Sequence, residues 1–186
     1  GESLYARIER TGSLQTGELI RLGIELCRIM NYLHSFKPNP ILYLDLHPGN
    51  LLICREQLKL IDFDQAALAS LSQERSVCYG TKGFAAPEQY EGGTLDERTD
   101  IYAIGALLYY MGTGHAPEGE IKAGQGSCRG DLYILMGRCL RTEKKERCQS
   151  VREVLEALEK LEARIFAERH IPLLRIAAAG SRSGIG

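Results

Sequence analysis

Three side chains in the first third of the chain have the types and spacing needed for phosphoryl transfer. Asn50 follows Asp45 by five residues, and Asp62 comes after two short apolar runs. In phosphoryl transfer, the protein mainly orients the reactants and neutralises charge. A carboxylate can orient an acceptor hydroxyl and take its proton, while amide and carboxylate oxygens suit Mg²⁺, which takes few ligands from protein. Asp45 has the chemistry to serve an acceptor hydroxyl in this way, and Asn50 and Asp62 have oxygen atoms that can reach a Mg²⁺ ion.

A small β-hairpin is predicted to set the distance between Asn50 and Asp62. Residues 51–54 and 58–61 are apolar or alternating runs, and the polar residues 55–57 separate them. Such a pair of short runs around a polar turn is typical of two antiparallel strands. The return strand would bring Asp62 back beside Asn50.

The rest of the chain is predicted to be mostly helical. Apolar residues recur at steps of three and four from Leu19 to Leu33, which predicts an amphipathic helix with Thr16 as its N-cap. Asp100 is predicted to open a helix that is apolar nearly all round, as central helices are. Residues 132–140 are predicted to form another helix, and a Ser-x-x-Glu capping box at Ser150 is predicted to begin the last one.

Residues 65–93 have no sustained period and contain several glycines and a proline, so a long irregular segment is predicted there. Near the end of the chain, residues 173–179 have the composition of a strand, and a glycine-rich stretch follows them. Glycine-rich and serine-rich stretches of this kind are usually flexible linkers.

The amino-acid composition excludes several classes of protein. The chain has 186 residues, 44% of them hydrophobic and 25% charged, which suits one globular domain with a sizeable core. The formal net charge of −1 argues against bulk electrostatic capture of nucleic acid or of an anionic membrane. The longest nearly uncharged apolar run, residues 101–112, is too short for a bilayer span of about 20 residues, and we expect a buried helix.

The six cysteines are scattered and contain no C-x-x-C pair. A disulfide scaffold of a secreted protein or a structural zinc site would need closer pairs. We therefore expect buried thiols in a cytoplasmic protein.

Several motifs, in the same order along the chain, resemble the protein kinase superfamily. Its D-x-x-x-x-N and D-F-G signatures match residues 45–50 and 62–63. Residues 80–88 resemble the G-T-x-x-[YF]-x-A-P-E end of an activation segment, and residues 96–114 resemble the central helix D-x-x-[ST]-D-[IV]-[YW]-x-[LI]-G. Arg147 stands where the family places the partner of the A-P-E glutamate. The bacterial Ser/Thr kinases of eukaryotic type are the most similar group.

The resemblance implies an α+β, protein-kinase-like fold over residues 1–168. This part would be the mostly helical C-terminal lobe with one small catalytic-loop β-hairpin, and residues 169–186 would be a linker or the start of a further domain. No G-x-G-x-x-G strand or V-A-I-K lysine is present, and residues 1–4 resemble the segment just after the hinge. We therefore expect the N-terminal, nucleotide-covering lobe to be missing from this chain, which alone would bind ATP poorly.

The resemblance also implies transfer of a phosphoryl group from ATP, with Mg²⁺, to a Ser or Thr of a protein substrate. Asp45 would be the catalytic base, and Asn50 and Asp62 the metal ligands. Leu52 would pack under the adenine ring. His47 stands where the family has a lysine near the γ-phosphate, although a loop histidine bonded to the backbone is the simpler alternative.

Four further residues take roles from the resemblance. Thr81 would line the substrate site and bond Asp45, as in kinases that act on Ser and Thr. Glu88 and Arg147 would form a structural ion pair, and Asp100 matches the invariant acid of the central helix.

The chain departs from the kinase pattern at four positions. Tyr43 and Leu44 replace His-Arg before Asp45, so the arginine that docks a phosphorylated activation loop is missing. His47 replaces the lysine, and Asp64 replaces the glycine of D-F-G. These departures favour a non-catalytic pseudokinase that binds partners, whereas the presence of Asp45, Asn50 and Asp62 opposes it.

A second alternative is a small-molecule phosphotransferase similar to aminoglycoside or choline kinases. The sequences D-L-H-P-G-N at 45–50 and I-D-F-D at 61–64 are close to those of that group. Those enzymes do not carry the G-T-x-x-F-x-A-P-E segment, whose task is to hold an extended peptide. Its presence at residues 80–88 favours a protein substrate.

Overall fold

The computed structural model describes residues 1–72, 80–118, 121 and 130–180, with backbone only from residue 168 onward. This part of the chain has the predicted α+β architecture, in which helices dominate. The helices are α1 (Leu4–Thr11), α2 (Thr16–His34), α3 (Ala69–Ser72), α4 (Pro87–Glu91), α5 (Glu97–Thr113), α6 (Gly130–Cys139) and α7 (Val151–Gly180). The strands are β1 (Glu2–Ser3), β2 (Ile41–Leu42), β3 (Leu51–Cys54), β4 (Gln57–Leu60) and β5 (Ala67–Leu68).

Helix α5 is the centre of the core, and the prediction of a buried apolar helix is confirmed. It packs against α2 and α6, and nearly every side chain from Ile101 to Met111 is buried. The helix begins at Glu97 rather than at Asp100, because the Asp96 carboxylate accepts the N–H of Arg98 at 2.9 Å and caps the first turn. Asp100 therefore lies inside the first turn.

Helices α2 and α7 pack along each other and close the core on one side. The amphipathic helix predicted from Leu19 to Leu33 is confirmed, but its N-cap is Gln15, not Thr16, and no side chain caps it. At the start of α7, the Ser150 hydroxyl accepts the N–H of Glu153 at 3.2 Å. The Glu153 carboxylate accepts the N–H of Gln149, one residue earlier than in a standard capping box.

The chain beyond residue 165 differs from the prediction. Helix α7 continues to Gly180, so the strand predicted for residues 173–179 is wrong. Residues 181–186 lie outside the described part of the chain.

The predicted hairpin is formed by β3 and β4. Leu51 pairs with Leu60 and Ile53 with Leu58, and these side chains face the core. The return strand begins at Gln57, one residue earlier than predicted. The turn needs only two residues, since Arg55 and Glu56 both have positive φ, as in the tight turns that suit a twisted hairpin. Strand β1 pairs with the other edge of β3.

Residues 65–93 are irregular apart from three short elements, β5, α3 and α4, and residues 73–79 are outside the described part. Strand β5 pairs with β2, which places the segment beside the start of the predicted catalytic loop.

The described thiols are free, at Cys27, Cys54, Cys139 and Cys148, and all but Cys54 are buried. Cys78 and Cys128 are outside the described part. No helix within the described residues is both long enough and apolar enough to cross a bilayer.

Candidate active site

The predicted catalytic loop, residues 43–50, is anchored by a buried carboxylate. Asp100, only 1% exposed, accepts the N–H of Tyr43 at 2.9 Å on one oxygen and the N–H of Leu44 at 2.8 Å on the other. The ring of His34 shares the first oxygen at 2.8 Å. A buried carboxylate is tolerated only when its oxygens are satisfied in this way. The central helix α5 therefore fixes the backbone just before Asp45.

Tyr43 connects the loop to the segment that carries Asp62. Its hydroxyl lies within hydrogen-bond distance of the carbonyl oxygens of Ile61 and Asp62, the latter at 2.8 Å, and these two acceptors share its one proton. Its ring meets that of Phe63 edge to face, with the ring centroids 5.3 Å apart. Burial, reinforced by the negative charges of Asp45 and Asp62, raises the pKa of Tyr43 above its usual value. The phenol therefore stays protonated and keeps its role as a donor.

Removing that donor should destabilise the domain measurably. Tyr43→Phe leaves the ring in place but deprives two carbonyls of their partner, and we expect the free energy of unfolding to fall by about 1–2 kcal/mol. Urea unfolding followed by circular dichroism measures the change. Tyr32→Phe is the matched control, because Tyr32 is 64% exposed. Equal unfolding midpoints for the two variants would contradict the assignment.

Asp45 lies where the catalytic loop meets the end of the irregular segment. One carboxylate oxygen accepts the Thr81 hydroxyl at 2.9 Å. The Asn50 side-chain nitrogen donates to the Asp45 carbonyl at 3.1 Å and approaches the other carboxylate oxygen at 3.4 Å. The side chain of Asp45 remains 24% exposed, so a hydroxyl group from outside can reach it. The structure thus brings together Asp45, Asn50 and Thr81.

A compact turn positions Thr81. The N–H groups of Phe84 and Ala85 both donate to the Thr81 carbonyl at 3.0 Å. The preceding residue, Gly80, has no room for a side chain, because a Cβ there would overlap the Cβ of Ala85. Glycine is therefore needed where the segment folds back on itself.

His47 is bonded to its own loop. Its Nδ1 accepts the N–H of Gly49 at 3.1 Å, so the neutral ring carries its proton on Nε2. Nε2 lies 3.7 Å from a carboxylate oxygen of Asp45, which is too long for a direct hydrogen bond. The backbone alternative foreseen for this histidine is therefore present, and Nε2 lies near the Asp45 carboxylate without a direct hydrogen bond to it.

Asn50 and Asp62 have the donor atoms that Mg²⁺ prefers. Because the nitrogen of Asn50 is turned to Asp45, its amide oxygen is the atom with which it could bind a cation. Asp62 is exposed, has a φ of 61°, and accepts the N–H of Asp64 at 3.2 Å on one oxygen. In the described residues, no cluster of three or more His, Cys, Asp or Glu side chains could hold a metal by itself. A cation at this pair would complete its shell with phosphate and water oxygens.

Leu52 is half-buried and lies on the face of the hairpin opposite to the core. Its strand neighbours Leu51 and Ile53 face inward, and side chains alternate along a strand. Leu52 is cross-strand from Lys59 and, on the other side, from Ser3. An apolar ring could therefore lie against Leu52 without entering the core.

The predicted partners Glu88 and Arg147 meet in a bidentate ion pair, at 2.7 and 2.8 Å. The Arg147 side chain is fully buried and that of Glu88 is 10% exposed. The remaining N–H groups of Arg147 donate to the carbonyls of Arg141, Arg98 and Thr142. All five guanidinium N–H groups thus have acceptors, which is the condition under which a buried charge is tolerated.

The family model described as the protein kinase domain matches residues 1–169. The chain belongs to the protein kinase domain family. The hairpin, the predicted catalytic loop and helix α5 all lie within the matched residues.

Most of the chain aligns with curated protein kinases, each of which is much longer than the chain. The chain is 30% identical to integrin-linked protein kinase 1 from Arabidopsis thaliana, over 97% of the chain and 40% of that protein. It is 29% identical to serine/threonine-protein kinase A from Synechocystis, over 83% of the chain and 34% of that protein. A probable serine/threonine-protein kinase from Clostridium acetobutylicum is 25% identical, over 85% of the chain and 27% of that protein. The chain therefore spans less than half the length of these relatives.

Two residues that contact the candidate site have no role predicted from the sequence. The hydroxyl of Tyr43, noted only as a departure from His-Arg, holds the carbonyls of Ile61 and Asp62. Gln89 comes directly after the A-P-E motif and donates to the Leu44 carbonyl at 2.8 Å. Neither hydrogen bond produces a periodic pattern or a characteristic spacing in the sequence. The only available signal was the position of Gln89 directly after the A-P-E motif.

Proposed function

We propose that residues 1–168 are the C-terminal lobe of a Ser/Thr protein kinase that transfers the γ-phosphoryl group of ATP to a protein substrate. The observation that carries the proposal is the 2.9 Å hydrogen bond between the Thr81 hydroxyl and Asp45. It joins the proposed base to the segment 80–88, which resembles the kinase segment that holds an extended peptide. A phosphotransferase for small molecules has no need of that segment.

Each residue then has a chemical task. Asp45 orients the acceptor hydroxyl and takes its proton as the oxygen bonds to the γ-phosphorus, while the bond from that phosphorus to the bridging oxygen breaks and ADP leaves. The amide oxygen of Asn50 and the carboxylate of Asp62 hold Mg²⁺, which when bound neutralises charge on the nucleotide phosphates. Leu52 packs under the adenine ring, and the Nε2 proton of His47 is available to a phosphate oxygen.

A complete nucleotide site needs further structure above the hairpin. We propose that an N-terminal kinase lobe covers the face of the hairpin that carries Leu52. Leu52 on this face is only half-buried in the described chain, and Phe63, which follows the hairpin in sequence, is 47% exposed. Residues 169–186 are proposed to be a linker or the start of a further domain.

The proposal is tested by phosphotransfer from γ-labelled ATP with Mg²⁺, using the natural polypeptide and the variant Asp62→Ala. We expect phosphoserine or phosphothreonine in protein, and a loss of at least 100-fold in Asp62→Ala because a metal ligand is removed. The matched control is Asp131→Ala, which removes an exposed carboxylate at the start of α6.

Two outcomes would overturn the proposal. Label on an aminoglycoside or on choline, with none on protein, would indicate a small-molecule phosphotransferase. No transfer of label by the natural polypeptide, together with an Asp62→Ala variant that has the cellular phenotype of the natural protein, would indicate a non-catalytic binding module.

A further inference from the structure

The residue before Asp45 is in a conformation that its neighbours must enforce. Leu44 has a φ of 66°, in the left-handed region that residues with side chains rarely adopt. Such a conformation persists only where surrounding contacts determine it. The contacts of Leu44 therefore decide how the chain enters Asp45.

Two buried side chains from different helices hold the two polar groups of Leu44. Its N–H donates to Asp100 of α5 at 2.8 Å, and its carbonyl accepts the side-chain N–H of Gln89 of α4 at 2.8 Å. Asp100 and Gln89 are each 1% exposed. Water cannot easily replace either partner.

The carbonyl of Leu44 and the N–H of Asp45 belong to the same planar peptide group. A side chain that fixes that carbonyl also fixes the direction of the Asp45 N–H, which donates to the Tyr43 carbonyl at 3.0 Å. Gln89 therefore acts on the peptide plane from which the Asp45 side chain extends.

The orientation of Gln89 is itself fixed. Its amide oxygen accepts the N–H of Ala86 at 3.0 Å, so the oxygen and the nitrogen cannot exchange places without losing both bonds. Helix α4 starts with Pro87, a favourable first residue, and is held to the core by the neighbouring ion pair of Glu88 with Arg147.

We propose that Gln89 is a positioning residue that holds the Leu44–Asp45 peptide in its working orientation. This inference rests on the proposed function, in which Asp45 is the base. Leu44 stands where the kinase pattern has an arginine, and its apolar side chain cannot bind a phosphorylated activation loop. The neutral amide of Gln89 restrains the Leu44–Asp45 peptide without phosphorylation of any residue. The catalytic loop would thus be set by α4 as soon as the domain folds.

The test is amide hydrogen exchange measured by NMR on the 186-residue chain without nucleotide. Gln89→Glu keeps the oxygen that accepts from Ala86 but loses the donor to Leu44. We expect the Asp45 amide to exchange at least tenfold faster while the Ala86 amide is unchanged. Gln89→Met removes both groups without adding charge, and both amides should exchange faster. Gln57→Glu, the same change on an exposed strand residue, should alter neither amide.

An unchanged Asp45 amide in both Gln89 variants would overturn the inference. It would also be overturned if amides of α5 and α7 accelerated as much as Asp45, since Gln89 would then be a general stabilising residue. Exchange needs no catalysis, so this result is independent of the phosphotransfer test. Where that test succeeds, Gln89→Glu should lower kcat about tenfold with the KM for ATP changed less than twofold, and a KM effect alone would contradict positioning.

Discussion

Replacing Arg147 with alanine is expected to lower the free energy of unfolding by about 3–5 kcal/mol. The change leaves the buried carboxylate of Glu88 without its bidentate partner and removes the donors to three backbone carbonyls. An unpaired buried charge is among the most costly defects in a folded protein. Whole domains have free energies of unfolding of only about 5–15 kcal/mol, so the loss of this one side chain would remove a large part of the stability.

The measurement is thermal unfolding, in which the expected loss corresponds to a fall in Tm of about 10 °C for a domain of this size. Arg28→Ala is the matched control, because it also breaks an ion pair with a glutamate, Glu159, at 3.0 Å. That pair is exposed on both sides, and its loss should cost less than about 1 kcal/mol. The prediction is wrong if the two variants unfold at the same temperature.

Arg147→Lys separates charge from geometry. Lysine keeps the positive charge but cannot offer the planar fork that reaches two carboxylate oxygens and three carbonyls together. We therefore expect the free energy of unfolding of Arg147→Lys to lie between that of the natural chain and that of Arg147→Ala.

Elements with strong local patterns could be predicted from the sequence. Helix α2 shows its apolar stripe from Leu19 to Leu33, and the hairpin shows two short runs around a polar turn. Both patterns arise because one face of each element is buried, so apolar residues recur along the sequence with the period of the helix or strand. Boundaries were less predictable: the Asp96 cap moves the start of α5, and α7 extends past residue 173.

The contacts that orient the site could not be predicted, because they join residues far apart in the sequence through single hydrogen bonds. The Asp100 carboxylate reaches the N–H groups of Tyr43 and Leu44. The amide of Gln89 donates to the carbonyl of Leu44, a residue with positive φ. Nothing in the type of a leucine indicates that conformation, so its restraints become visible only in the folded chain.

In the natural polypeptide, Asp45→Asn is expected to reduce kcat for protein phosphorylation by about 10²–10⁴-fold. Asparagine has nearly the same shape, and its amide oxygen can still accept the Thr81 hydroxyl that lies 2.9 Å from the Asp45 carboxylate. The variant loses the negative charge that attracts and accepts the proton of the acceptor hydroxyl. The fold should persist, because the Asp45 side chain is 24% exposed and makes no buried ion pair.

Steady-state kinetics with varied ATP and Mg²⁺ distinguish this base from a metal ligand. In Asp45→Asn, the KM for ATP and the Mg²⁺ requirement should stay within twofold, because Asp45 is not proposed to bind either. In Asp62→Ala, the Mg²⁺ requirement should rise together with the loss of turnover, because a ligand of the ion is removed. The control Asp131→Asn changes an exposed carboxylate on α6 and should leave turnover, the KM for ATP and the Mg²⁺ requirement as in the natural protein. If Asp45→Asn keeps full turnover, the proton of the acceptor hydroxyl goes elsewhere, and the hydrogen bond to Thr81 orders the loop without taking part in the transfer.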